Sequence, residues 1–198
     1  MWGQKKGAMF GLDARIALAI FGALSVISGA ALYNAVQEAR LVSFYAEVQE
    51  LQKEVEHMVL DVGNFPKIIT RLYPGQPNAA YLATNWGNVP GWKGPYGNYV
   101  NPVIETETIF HNKFGKINFA SVKPTGCNGD YDLTAGSAYY MRIHGVSNCE
   151  IDFTFAKAVH DRFDNDGDYT AGDIIVFEDS GEPGKSSIAF KLSSQLMD

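Results

Sequence analysis

Five aspartates, Asp161, Asp164, Asp166, Asp168 and Asp173, fall within thirteen residues of this chain. The run Asp164-Asn165-Asp166-Gly167-Asp168 sets carboxylates at alternate positions, with a glycine that allows a sharp turn. A chain wraps a hard cation in this way, and calcium is the ion that such oxygen donors suit. Asp164, Asp166, Asp168 and Asp173 are therefore the candidate metal ligands. The full EF-hand pattern fails, because Ile175 stands where the twelfth-position glutamate should be. The competing reading is a solvated turn rich in Asx residues between a helix and a strand. Against it, so many like charges in one loop repel one another unless a cation offsets them.

Other chemistry is poorly supported. Gly184-Lys185-Ser186 resembles the end of a phosphate loop, but Asp179 occupies the earlier glycine position and acidic residues flank the segment. There is no His-Glu-x-x-His motif and no Gly-x-Ser-x-Gly nucleophile turn. Two cysteines cannot make a structural zinc site alone, and His57, His111, His144 and His160 show no ligand spacing around them. The chain reads as non-enzymatic, with no catalytic residue. A net charge of −6, without any basic stripe interleaved with aromatics, argues against nucleic acid as a partner.

The elements that must position the acidic loop follow from the patterning. From Ile16 to Tyr33 every residue is apolar, aromatic, Gly or Ser, which is the lower bound for a membrane span. Lys5, Lys6 and Arg15 precede it, while Glu38 and Arg40 cancel after it, so the N-terminus is expected in the cytoplasm and the bulk of the chain outside. Asp13, at the mouth of the span, is an expensive residue there and implies a partner outside the lipid. A secretory signal peptide is the alternative, but no Ala-x-Ala site follows the apolar run. Leu41, Phe44, Val48, Leu51, Val55, Met58 and Val62 then recur at helical spacing until Gly63 and Pro66 stop the pattern. The helix from Met9 to Val62 would be roughly 80 Å long.

Residues 64–115 are rich in Pro, Gly, Asn and aromatics and too broken for long regular elements, with a short helix expected over Lys67–Tyr73. The Trp and Tyr rings between Trp86 and Tyr99 read as pins that hold this loop on the domain, and a ligand platform is the alternative. Strands are expected over Lys116–Val122, Ala138–His144, Asp173–Phe177 and Ser187–Leu192. Ser147 and Glu150 have capping-box spacing before a helix reaching about Arg162, and a strand over Ile151–Phe155 competes with it. In an exported domain Cys127 and Cys149 pair as a disulfide, worth about 3 kcal/mol in the loop-entropy model. The sum is an α+β fold, one long helix packed against a small antiparallel sheet.

Gly7-Ala8-Met9-Phe10-Gly11-Leu12-Asp13 resembles the class III signal of the type IV pilin and pseudopilin superfamily. Cleavage between Ala8 and Met9 makes Met9 the first residue and Asp13 the fifth, where the family keeps a glutamate; cleavage after Gly7 is the alternative. Trp92-Lys93-Gly94-Pro95-Tyr96 is similar to a segment of the major pseudopilin of type II secretion. Tyr140–Val146 leading to Cys149 resembles the pilin strand, turn and cysteine, and Asp164–Gly172 resembles the late acidic turn, which in major pseudopilins holds calcium. The proline common in the apolar helix is missing, Ala30 standing in its place. The resemblance implies a leader over residues 1–8 removed by a prepilin peptidase, a membrane and filament-core helix over 9–35, and an exported domain over 36–198. It also implies a homo-oligomeric helical filament, built from bacterial inner-membrane precursors by assembly machinery, in which Met9 and Asp13 of adjacent subunits pair. A bitopic envelope protein whose outer domain binds a ligand is the other reading.

Overall fold

The structure is a computed structural model that describes residues 9–64, 78–103, 108–120, 123–124, 126–127, 131–132, 138–145 and 149–192. It divides into two units between Phe44 and Tyr45. Helix α1 (Met9–Val62) is continuous, as expected from a stretch without proline, and it ends at Gly63 (φ 85°), whose N–H donates to the Val59 carbonyl at 2.7 Å. Only glycine takes that left-handed cap at little cost.

Within the first unit α1 is apolar on every side from Ile16 to Tyr33. Leu18, Phe21, Leu24, Val26, Ile27, Leu32 and Tyr33 are all exposed. Its most apolar 18-residue window has a mean hydropathy of 2.1, and the helix is long and apolar enough to cross a membrane. A helix apolar all round is stable only inside other apolar matter.

In the second unit α1 becomes one-faced. Val48, Leu51, Val55, Met58 and Val59 are buried, at spacings that keep them on one side. Each contributes about 1.5–3 kcal/mol of gross burial energy. After the 3-10 turn Ala79–Leu82, capped by the Asn78 side chain, come β1 (Tyr99–Val103), β2 (Thr108–His111), β3 (Gly115–Ala120), β4 (Lys123–Pro124), β5 (Tyr131–Asp132), β6 (Tyr140–Gly145) and β7 (Ile151–Asp152). Helix α2 (Phe153–Phe163), β8 (Ile174–Glu178) and β9 (Lys185–Lys191) complete the chain's described elements.

β4 and β5 form a separate two-stranded pair, and the other seven strands form one antiparallel sheet. β1, β2, β3 and β6 are neighbours in that order, and β6 pairs with β9. β6 and β8 both pair with Ile188–Phe190, so they lie on opposite edges of β9. Ser186 pairs with both Ile151 and Glu178, so β7 prolongs the β6 edge.

Register sorts the side chains, since directly paired residues share a face. Phe190 lies beside Tyr45 of α1, the ring centroids 6.4 Å apart, and it pairs with Met141 and Ile174. Ile188, Ile143, Ile117, Ile109, Phe119 and Val176 follow the same parity, and this face is the main core under α1. The opposite face carries Tyr140, Ile175, Phe177 and Ala189 against the Cys127–Cys149 disulfide. It also buries polar groups. Arg142 donates from Nε to Ser187 Oγ at 3.3 Å and lies 5.4 Å from the centre of the Phe177 ring, and His144 Nε2 is 3.2 Å from Asn118 Oδ1.

The expected α+β architecture is the one observed. The four expected strands match β3, β6, β8 and β9 to within about two residues at the ends lying among the described residues. Two local readings need correction. Residues 99–103 and 108–111 form two paired strands, because β1 and β2 sit at the sheet margin where the broken sequence still pairs with β3 through β2. Ile151–Asp152 is a strand and the helix begins only at Phe153, since Asp152 is the cap: its Oδ1 accepts the Phe155 N–H at 2.8 Å. Glu150 instead donates its N–H to the His144 carbonyl. The helix expected over Lys67–Tyr73 lies outside the described residues.

The aromatic loop is pinned to the end of α1. Trp92 Nε1 donates to the Tyr81 carbonyl at 2.7 Å and packs edge-on against Tyr96. Tyr96 Oη donates to Asp61 Oδ2 at 3.0 Å, while Lys93 Nζ meets Asp61 Oδ1 at 2.7 Å, which holds the Asp61 carboxyl below its ordinary range. Further along α1, Glu54 accepts the phenol of Tyr99 from β1; burial, offset in part by that bond, raises the Glu54 carboxyl.

Candidate metal centre

The acidic loop is built on the last turn of α2. Ala156, Val159 and His160 form its buried stripe, which packs toward β8 and β9. His160 and Asp164 are four apart, so they share one face of the helix end. The Asp164 and Asn165 N–H groups both donate to the His160 carbonyl, at 2.9 and 3.0 Å. Asn165 then takes a left-handed conformation (φ 51°), a cap that asparagine tolerates, and the chain turns back.

Side chains then tie the loop to itself. Asp166 Oδ1 accepts the Asp168 N–H at 2.9 Å, and Asp168 Oδ1 accepts both the N–H and the hydroxyl of Thr170. Asp164 Oδ2 accepts the Ile174 N–H at 2.7 Å, joining the helix end to the first residue of β8. At Gly172 (φ 85°) a Cβ would run into the carboxylates of both Asp164 and Asp166, so the two acids converge over a backbone position that strongly favours glycine. Gly172→Ala should therefore lower stability by about 1–3 kcal/mol, as read by urea denaturation.

Into this space points a histidine. His160 has no exposed surface, and its Nε2 lies 3.1 Å from Asp166 Oδ1. Neither ring nitrogen makes a hydrogen bond among the described residues. Its Nδ1 edge faces Asp161 Oδ1 at 3.6 Å, and Tyr169, whose ring packs 4.7 Å from the imidazole, donates its hydroxyl to the same Asp161 oxygen at 2.8 Å. That bond raises the Tyr169 phenol. Lys157 Nζ lies 4.7 Å from the Tyr169 ring centre.

One ligand atom from each of His160, Asp164 and Asp166 lies within 4.8 Å of the others, and this cluster can hold a divalent cation. Of the four aspartates picked from the sequence, Asp164 and Asp166 are in it. Asp168 uses one oxygen on Thr170, and the highly exposed Asp173 stands 3.7 Å from Lys191 Nζ. His160 is the candidate ligand that spacing around the cysteines does not reveal; the His160-x-x-x-Asp164 interval at a helix end is the available signal.

The other marked positions are placed as follows. Cys127 and Cys149 are bonded, with Cα atoms 5.7 Å apart. Met9 opens α1 and Asp13 lies exposed on it, whereas Gly7 and Ala8 are outside the described residues. Lys185 of the phosphate-loop-like triplet is paired with Glu182 at 2.5 Å, and Ser186 Oγ donates to the Ile151 carbonyl. Compared with protein-family models, curated proteins and solved structures, the chain matches none. The architecture, a long apolar N-terminal helix on a small antiparallel sheet, is generic and compatible with a pilin-like fold.

Proposed function

We propose that this chain is a structural subunit of the type IV pilin and pseudopilin kind, which polymerises through its N-terminal helix. The observation that carries this reading is α1 itself. Its first part is apolar on all sides and its second part is packed on a sheet, so one helix suits both a lipid or helix-bundle setting and a folded domain. The proposal assigns the chain no catalysis. In it, a prepilin peptidase cuts between Ala8 and Met9, the subunit waits in the inner membrane with its domain outside the cytoplasm, and assembly machinery feeds it into a homo-oligomeric filament.

In this reading each incoming Met9 amine pairs with Asp13 of a neighbour. Breaking a buried charge pair by removing one partner costs about 3–5 kcal/mol, because the remaining charge stays uncompensated. Asp13→Ala should thus leave the domain folded and its disulfide formed, yet remove the subunit from sheared filaments seen by electron microscopy. Normal incorporation of that variant would sink the pairing role. Mass spectrometry of the mature chain gives the second check: a free or methylated Met9 is expected, whereas an intact Met1 would favour a simple membrane anchor carrying an exported domain.

A further inference from the structure

We infer that the His160–Asp164–Asp166 cluster is a site for an imidazole-accepting divalent transition metal of the zinc class, rather than a calcium loop. The inference rests on the cluster being a divalent-cation site and is independent of filament assembly.

The donor set decides the class. Calcium takes six to eight oxygens. This loop points two carboxylates at the centre, while Asp168 and Asp173 contribute no atom to the cluster and Asp173 lies beside Lys191. The third donor is a nitrogen on a ring without exposed surface, which an alkaline-earth ion would leave unused. One imidazole and two carboxylates are instead an ordinary set for zinc, with room for water at a fourth position. Zinc bonds of about 2.0–2.2 Å place neighbouring ligand atoms of a tetrahedron roughly 3.3 Å apart. The observed 3.1 Å between His160 Nε2 and Asp166 Oδ1 is close to that edge.

The surroundings agree. Metal-bound imidazoles usually turn their other nitrogen to a carboxylate or carbonyl, which fixes the tautomer. Here Nδ1 faces Asp161, itself held by Tyr169. Asp166 is the most exposed member, with 36% of its side-chain surface accessible, and offers the entry side. The ion would fasten the end of α2 to the turn that leads into β8, because Asp164 already bonds the Ile174 N–H.

The test uses the full chain in detergent micelles at neutral pH, with Zn2+ and Ca2+ titrated separately in competition with a chromophoric chelator. One Zn2+ per chain is expected, bound at least about tenfold more tightly than Ca2+. His160→Gln and Asp166→Asn should each weaken Zn2+ by about tenfold or more, and His160→Gln should leave any Ca2+ binding unchanged. If His160→Gln does not fold, Co2+ loading of the unmodified chain replaces it, and the His160 ring protons should show large paramagnetic shifts. Tighter Ca2+ than Zn2+, Zn2+ binding indifferent to both substitutions, or unshifted His160 protons would each overturn the zinc-class assignment. Uptake of neither ion would overturn the cation site as a whole, leaving a histidine–aspartate contact that closes the loop.

Discussion

Phe119→Ala should lower the stability of the folded domain by about 3–5 kcal/mol, the largest single-residue effect expected in this chain. Phe119 has no exposed surface and pairs with Met141 on the face that lies under α1. Its neighbours on that face, Ile117, Met141, Ile143 and Phe190, are themselves almost fully buried and belong to strands paired on both sides. They have little freedom to collapse into the space a phenyl ring leaves. Domains are stable by only about 5–15 kcal/mol in total, so the loss is a large fraction of the whole. Urea denaturation of the full chain in detergent, followed by tryptophan fluorescence, measures it. A loss under about 1 kcal/mol would mean that the site relaxes or that Phe119 is not where the register places it.

The second large effect is a loss of stability in mild acid caused by His144. This side chain lies on the opposite face of the sheet, and burial, with Arg142 and Lys116 adding positive charge nearby, pushes its imidazole down from 6.5 to about 2. Its Nδ1 makes no hydrogen bond among the described residues and its Nε2 reaches Asn118. The sign follows from which state takes the proton. Below pH 6.5 the unfolded chain protonates this histidine, while the native chain keeps it neutral until about pH 2. Stability from this group is therefore fully present above 6.5 and is lost as pH falls, by about 1.4 kcal/mol per pH unit. Between pH 6.5 and about 4.5 the loss should come to about 2.3 kcal/mol. Other titrating groups are removed by difference: His144→Asn is measured over the same range, and only the unmodified chain should carry this slope. Parallel pH profiles for the two proteins would show that His144 is protonated in the native state too.

Both effects depend on strand register, which is the part of the fold least legible in the sequence. The long helix was legible because it needs only local information: no proline from Met9 to Val62, a periodic stripe, and Gly63 as a stop. β8 and β9 were also visible, since Ile174–Phe177 and Ser187–Phe190 are runs buried on both faces. β1 was not. Tyr99-Val100-Asn101-Pro102-Val103 contains a proline and an asparagine that disfavour strand, and only pairing with β2, Tyr99 opposite His111 and Val100 opposite Phe110, makes it one. The cap at Asp152 was missed for a related reason. Ile151 is claimed by β9, and that tertiary pairing delays the helix beyond the Ser147–Glu150 signal.

The candidate site divides in the same way. Its carboxylates announced themselves by alternation and by charge. The histidine did not, because a lone His in an amphipathic helix usually belongs to the core, and this one does sit there with no exposed surface. Only the fold shows that its ring edge looks out of the core toward Asp166. A residue can thus serve packing with its face and coordination with its edge, and composition reads the first role alone.

The position of β9 in the chain bears on how the domain is made. β6, β7 and β8 all pair with this one strand, and it is the last described element to leave the ribosome. Synthesis runs at about 5–20 residues per second, so α1 precedes β9 by several seconds or more. During that interval the buried stripe of α1 and the inward face of β6 lack the strand on which the others converge. Any machinery that handles this chain during synthesis therefore meets an open set of strands, and the sheet closes only once β9 has emerged.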